Sequence, residues 1–223
     1  MPNATSSRVG VPEETVPELV LADAAERDDL GAFAARAVRL DGQTVVRLRN
    51  RNEELLDAWV ATPFDTLATR TVAGQASPAD VTVSGSELLT GLAVMRDERI
   101  DPGPAKDLMW RSALPPADGW LMVDRLPVEV VSKLADEGVE VARENTGPHG
   151  TPPASLMDQT VLTVTGSGLD VKIPLRCLFA LSGMGFLGED GEVRVTATDS
   201  WLRIDARYGA VVRRRHSMLP LIV

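Results

Sequence analysis

The sequence predicts an α+β fold in which one unit, a strand and a helix followed by an antiparallel meander, occurs twice. In the first copy, the helical pattern of Leu30–Leu40 is followed by an Asp41-Gly42 turn and a strand pattern. In the second copy, the helical pattern of Leu175–Leu187 is followed by an Asp190-Gly191 turn and another strand pattern. A helix, turn and meander repeated in this way indicates a pseudo-symmetric architecture.

The first copy opens with a short strand at Glu18–Ala22. Asp23 then offers an N-cap, and Glu26, three residues later, completes the pattern of a capping box. The helix that follows has one apolar stripe, because its large and small apolar residues recur at helical spacing. The stripe consists of Leu30, Phe33, Ala34, Ala37 and Val38.

Strand patterns follow this helix. Val46 and Leu48 alternate with Arg47 and Arg49, as expected of a half-exposed strand. Ser84, with a glutamate three residues later, predicts a second capping box and a short helix. Further strands are predicted at Leu55–Ala61, Asp65–Val72 and Val81–Val83.

The middle of the chain predicts a Pro-rich helical insertion between the two units. Arg99–Asp118 contains four prolines and should be irregular apart from a helical turn near Met109. Trp120–Val123 predicts a strand, and Pro127 opens an amphipathic helix. The predicted organisation is a flexible tail at 1–16, an N-terminal α+β unit at 17–98, a Pro-rich linker and helix at 99–153, and a C-terminal α+β unit at 154–223.

The C-terminal unit begins with a hairpin. Gln159–Thr165 and Leu169–Ile173 flank a Gly-Ser-Gly loop, and Pro174 then opens the second helix. Three antiparallel strands complete the unit, with patterns at Glu192–Thr198, from Trp201 to Tyr208, and from the turn at Gly209 through Val212.

Composition limits the class of protein. The 223 residues carry a net charge of -9, which disfavours indiscriminate binding to nucleic acid. Aromatic residues make up 4% of the chain, too few for broad base-stacking platforms. No apolar run reaches the length of a membrane span, and the first residues lack the apolar core of a secretory signal. With Cys177 as the single cysteine, we expect a cytoplasmic protein.

The C-terminal unit resembles the DNA sliding-clamp (processivity) fold. The resemblance is carried by Val171–Pro174, the helix after it, Gly191–Val195 and Trp201–Asp205. Clamp half-domains combine a strand, a helix and an antiparallel meander, so the resemblance implies a clamp-like architecture. Glu18–Val72 is similar to the same unit, and Asp80–Val94 is similar to the opening of a third.

No motif predicts a cofactor or metal. Gly183, Gly185 and Gly188 fit a GxGxxG pattern, but they follow a helical pattern and precede an acidic turn, which favours a helix terminus over a phosphate site. The two histidines, His149 and His216, provide no zinc spacing with the single cysteine. Nucleophile elbows, P-loops and zinc-protease motifs are all missing from the sequence.

Arginines form the one candidate contact surface. Those on the outward side of the C-terminal meander, together with a basic run at its end, predict a positive strip for a phosphate backbone or an acidic partner. Charge that protects an edge strand from aggregation is the simpler interpretation of the same residues. The strip consists of Arg194, Arg203, Arg207, Arg213, Arg214 and Arg215.

These observations favour a non-enzymatic interaction or scaffold protein that binds a protein partner, with no membrane contact. An enzyme with a cleft in the Pro-rich middle, near Trp110 and Trp120, is one alternative. Weak nucleic-acid binding through the arginine strip is another, and self-association into a homo-oligomer stays open.

Overall fold

The computed structural model describes residues 16–94, 99–145 and 153–215. Twelve strands and five α-helices lie in these ranges, with a single 3₁₀ turn at Asp107–Met109. In chain order they are β1 Glu18–Leu21, α1 Ala24–Leu40, β2 Val45–Asn50, β3 Leu55–Thr62, β4 Thr66–Ser77, β5 Asp80–Ser84, α2 Gly85–Ala93, β6 Arg99–Ile100, β7 Leu121–Pro127, α3 Val128–Glu144, α4 Ala154–Met157, β8 Thr160–Gly166, β9 Leu169–Pro174, α5 Leu175–Gly183, β10 Glu192–Ala197, β11 Trp201–Ala206 and β12 Gly209–Arg214.

One large antiparallel sheet contains both meanders. Its strand order is β5-β2-β3-β4-β12-β11-β10-β7, and β1 pairs with β4 and with β6. The first meander, β2-β3-β4, therefore meets the second, β12-β11-β10, where Ala68 of β4 pairs with Val211 of β12. Each meander follows a strand and a helix, β1 and α1 in one case and β9 and α5 in the other. The predicted duplication is confirmed.

The helices cover one face of this sheet, here called the helical face. α1 packs on α2, and α3 packs on α5. Side chains that point toward the helices form the main core, and many have almost no solvent exposure, since one continuous apolar layer excludes water. They include Val46, Leu48, Val60, Val195, Leu202 and Val211.

Helix termini account for two corrections. Asp23 caps α1, with its Oδ1 accepting from the amides of Ala25 and Glu26 at 2.8 and 3.0 Å. The Glu26 carboxylate, however, accepts from the amide of Ala73, so the reciprocal half of the capping box is missing. The second predicted box is also wrong, because the Ser84 hydroxyl contacts that of Ser86 and does not cap α2.

The second unit's helix is shorter than predicted. α5 ends at Gly183, and Gly185 adopts a φ of +58° immediately after it. A Cβ atom at position 185 would lie 1.1 Å from Nη1 of Arg36, whose guanidinium donates to the carbonyl of Met184. This left-handed residue turns the chain away from the helix axis. The glycine motif therefore terminates a helix.

The predicted insertion contains β7 and α3, which pack on the second unit. β7 pairs with β10, and α3 contacts both β7 and β10. The predicted division of the chain at 99–153 stays a prediction. His149, His216 and most of the predicted flexible tail lie outside the described residues, as do residues 146–152 of the predicted linker.

Candidate functional site

The face of the sheet opposite the helices, here called the outer face, carries arginine, aspartate and tryptophan. One row of paired residues crosses it from β3 to β10: Trp59, Thr69, Ala210, Asp205 and Arg194. Thr69 and Ala210, where the two meanders meet, are small, whereas Trp59 and Arg194 at the ends of the row are large. The outer face therefore has a groove whose floor is formed by β4 and β12 and whose sides come from β3 and β11.

Residues 110–120, here called the strap, cross this groove. The preceding segment is anchored on β5, where the Lys106 amide donates to the Thr82 carbonyl and the Thr82 amide donates to Oδ1 of Asp107, both at 2.7 Å. Within the described residues, the backbone from 111 to 119 makes no hydrogen bond to the backbone of the sheet. The strap is thus held by side chains.

Aromatic contacts hold the strap in place. Trp59 and Trp201 on the sheet are 6% and 8% exposed, and they belong to one apolar cluster with Leu67 and Val212. Trp110, Leu114 and Trp120 of the strap pack against this cluster. The Arg47 guanidinium lies 5.7 Å from the centroid of the Trp110 ring, and the Trp120 indole donates to the Pro116 carbonyl within the strap.

Two open cavities flank the strap. The turn cavity, about 520 Å³, lies near the turn between β3 and β4, and its lining includes Thr62, Asp65, Ser112, Trp201, Arg213 and Arg214. The arginine cavity, about 430 Å³, lies on the other side of the strap, and its lining includes Arg49, Arg51, Trp59, Trp120, Arg194 and Arg203.

Some arginines of the groove are fully engaged and others are not. Arg51 binds Asp57 through two hydrogen bonds of 2.9 and 2.6 Å, and Arg203 donates to Asp205 at 2.8 Å. Arg194 lies 3.7 Å from Asp205, too far for a hydrogen bond. Arg214 lies over the Trp201 ring at 4.9 Å, and no described carboxylate is within 4.0 Å of it.

The predicted arginine strip is divided between surfaces. Arg194, Arg203 and Arg214 lie on the outer face, where they belong to the groove. Arg207 occupies the turn before β12, at 3.7 Å from Asp190. Arg213 has the opposite parity to Arg214, and Arg215 donates to the carbonyls of Thr198 and Asp170. Successive strand residues point to opposite faces, so a run of three arginines cannot form one surface.

Arg213 belongs to an ion network that joins the two units. Arg176 of α5 is 9% exposed at its side chain and binds Asp65 at 3.2 Å and Asp158 at 2.7 Å. Arg213 lies 3.6 and 3.4 Å from the same two carboxylates. Asp65 comes from the turn between β3 and β4, so the network connects the first meander to α5. Next to it, burial raises the pKa of the Cys177 thiol to about 12, which excludes a thiolate nucleophile at neutral pH.

Sequence reasoning missed the half of the groove that comes from the first unit. Arg49, Arg51, Asp57 and Trp59 line the arginine cavity beside Arg194. The alternation of Arg47 and Arg49 with apolar residues was a usable signal, since it placed arginines on the outward side of β2. Nothing local to the sequence shows that β4 pairs with β12, which brings the two outward faces together.

The described residues were compared with the requirements of a metal site and of a membrane-spanning helix. In those ranges, no group of three or more His, Cys, Asp or Glu side chains is placed to hold a metal ion. None of the described helices is long and apolar enough to cross a membrane.

Comparison with known families divides the chain in two. Residues 14–112 match the family described as Domain of unknown function (DUF8010), and residues 115–218 match Domain of unknown function (DUF8185). No curated protein matches the chain in sequence.

Solved structures of bacterial sliding clamps share the fold. The beta sliding clamp of Caulobacter crescentus matches with a TM-score of 0.56 at 15% identity, and the DNA polymerase sliding clamp of Bacillus subtilis with a TM-score of 0.58 at 10% identity. The clamp of Bartonella birtlesii, solved with griselimycin, gives a TM-score of 0.54 at 13% identity. Each match covers 92% of this chain and 66% of the clamp chain. The clamp-like fold is therefore confirmed, over 66% of a clamp's length.

Proposed function

We propose that this chain is a non-enzymatic, cytoplasmic interaction scaffold that holds an extended segment of a partner protein in the groove of the outer face. The observation that carries the proposal is the pair of open cavities on either side of the strap, both lined by tryptophan and arginine. These two residue types dominate the energetic centres of protein interfaces.

The shape of the groove suits an extended peptide. Its floor is an antiparallel sheet with small side chains at the centre, Thr69 and Ala210. The strap above it is held by Trp110, Leu114 and Trp120. The cavities are open on either side of the strap, so an extended segment can contact Trp120 of the strap and Trp201 of the sheet without displacing the strap.

The edges of the sheet favour a foreign partner over a second copy. On β5, both the amide and the carbonyl of Thr82 are engaged by the segment before the strap. On β7, the Met122 carbonyl accepts from the Ser167 hydroxyl at 2.6 Å. Free strand edges are what sheet-to-sheet association requires, and these two edges are partly covered by the chain itself.

The carboxylates of the groove support a binding role over catalysis. Asp57 accepts from Arg51 and from the Thr71 hydroxyl, and Asp205 accepts from Arg203. A general base needs a free oxygen directed at the substrate, whereas Arg51 occupies both oxygens of Asp57 and Arg203 occupies one oxygen of Asp205.

Two of the similar structures contain bound ligands. The Caulobacter crescentus clamp has polyethylene glycol bound to it, and the Bartonella birtlesii clamp has griselimycin bound. Ligand binding by proteins of this fold is consistent with a groove that takes a partner segment.

Peptides enriched from a random displayed library by binding to the full chain test the proposal. Fluorescence anisotropy then gives their affinities for the wild type, for Trp120→Ala and for Tyr208→Ala. Trp120 lies in the groove, while Tyr208 is an exposed aromatic residue outside it. We expect Trp120→Ala to weaken binding about tenfold or more, the effect of losing a central aromatic contact.

The control variant Tyr208→Ala should bind the peptides like the wild type. Thermal unfolding of both variants verifies that the fold is intact. Failure to enrich any peptide, or peptides that bind Trp120→Ala with unchanged affinity, would show that the groove is not the interaction surface.

A further inference from the structure

We infer that the partner segment is acidic and that Arg49 and Arg194 bind its carboxylates in the arginine cavity. The inference rests on the proposed function and adds the chemistry of the partner. It is carried by Arg49 and Arg194, whose nearest carboxylates accept hydrogen bonds from other arginines.

The first of these arginines is Arg49, on β2. The Asp80 carboxylate next to it accepts two hydrogen bonds of 2.7 Å from Arg47, one on each oxygen. Arg49 lies 3.9 Å from the same carboxylate, and its side chain is 54% exposed. Its donors are therefore available to an incoming acceptor.

The second is Arg194, on β10, whose nearest carboxylate also accepts from another arginine, here on one oxygen. Asp205 accepts from Arg203 at 2.8 Å, while Arg194 lies 3.7 Å from Asp205 with its side chain 52% exposed. Arg49 and Arg194 therefore each have a carboxylate nearby, at 3.9 and 3.7 Å, but no hydrogen bond to it, so their N–H donors are available to a further acceptor.

The charge of the cavity as a whole points to an anion. Four arginines and two aspartates line it, an excess of two positive charges, in a chain whose net charge is -9. Charge-assisted hydrogen bonds from guanidinium to carboxylate are shorter and stronger than neutral ones. Opposite potentials also steer association, which makes an acidic segment the complementary partner.

The groove fits a peptide better than a nucleic acid. Single strands bind by stacking bases on exposed aromatic rings. Trp59 and Trp201 are 6% and 8% exposed, so their ring faces are already covered. Pro115 and Pro116 of the strap line the arginine cavity, and the strap divides the groove along which a duplex would have to lie. An extended acidic peptide needs neither exposed aromatic rings nor a wide surface to bring its carboxylates to Arg49 and Arg194.

A matched pair of labelled peptides tests the inference on the full chain. One alternates Glu with Leu and the other alternates Gln with Leu, so the two differ only in charge. By fluorescence anisotropy at low salt, we expect the Glu peptide to bind about tenfold more tightly, and this preference to fall as sodium chloride screens the charges.

Two double variants locate the effect. Arg49→Gln with Arg194→Gln should abolish the preference for the Glu peptide. Arg99→Gln with Arg207→Gln removes the same charge from exposed positions away from the cavity, with side chains 76% and 61% exposed, and should leave the preference intact. Peptides enriched from the displayed library should also be rich in Asp and Glu.

The outcomes separate the two levels of the proposal. Equal binding of the Glu and Gln peptides, still weakened by Trp120→Ala, would overturn the acidic partner and leave the groove as the interaction surface. Binding of neither peptide, together with failure of the library selection, would overturn both. A single-stranded oligonucleotide could instead compete with the Glu peptide in a way that depends on Arg49 and Arg194. That result would overturn the acidic peptide and identify the ligand of the cavity as a nucleic acid.

Discussion

The two faces of the large sheet differ although the same strands supply both. On β2, Leu48 points to the helices and is fully buried, while Arg49, the next residue, points outward into the arginine cavity. The helical face is a continuous apolar core, and the outer face holds charged residues in pairs that leave some donors free. Because side chains alternate along each strand, the residues that stabilise the fold and the residues proposed to bind a partner lie on opposite faces of the same strand. Changes on the two faces should therefore affect different properties.

The largest expected effect is on the helical face. Leu48→Ala removes buried methyl groups from the core and should lower the free energy of unfolding by about 2–5 kcal/mol. Arg49→Ala, one residue further on, should change it by less than about 0.5 kcal/mol, because an exposed side chain leaves no cavity. Urea unfolding followed by circular dichroism measures both. Similar losses for the two variants would show that the faces are not separated in this way.

An intermediate effect is expected at the junction of the two units. Arg176→Met removes the buried partner of Asp65 and Asp158, and it should cost about 1–3 kcal/mol, less than for a fully buried pair because both carboxylates are more than half exposed. Arg207→Met breaks an exposed pair with Asp190 and should cost no more than about 1 kcal/mol. The same unfolding experiment compares them, and equal costs would mean that the network does not join the units.

Much of the fold was predictable because its signals are local. Asp23 capped the helix it was expected to cap, and the Asp41-Gly42 turn separated α1 from the strands that follow it. The end of α5 was predicted too late, since the hydrogen bond from Arg36 to the Met184 carbonyl at the turn is a long-range one. Helical spacing predicted α3 but gave no sign of which unit it packs against.

The candidate site was predicted only in part for the same reason. Strand parity correctly placed Arg194 and Arg203 on the outward side of the second meander. The strap was predicted to be irregular, but no local pattern indicates that it crosses the sheet between Trp59 and Trp201. The groove exists because two distant segments meet, and pairing partners of that kind are set by the whole fold.

The smallest expected effect is at Thr69, on the floor of the groove, and it tests whether water reaches that floor. Thr69 is 2% exposed, and its hydroxyl has no hydrogen-bond partner among the described residues. Thr69→Val replaces that hydroxyl with a methyl group of similar shape, so the free energy of unfolding should stay the same or rise by up to about 1 kcal/mol. Thr71→Val is the matched control on the same strand. Its hydroxyl donates to Asp57 and accepts from Arg51, and its loss should cost about 1 kcal/mol. A Thr69→Val variant as destabilised as Thr71→Val would reveal a partner for the Thr69 hydroxyl, and the outer face would then be solvated beneath its tryptophans.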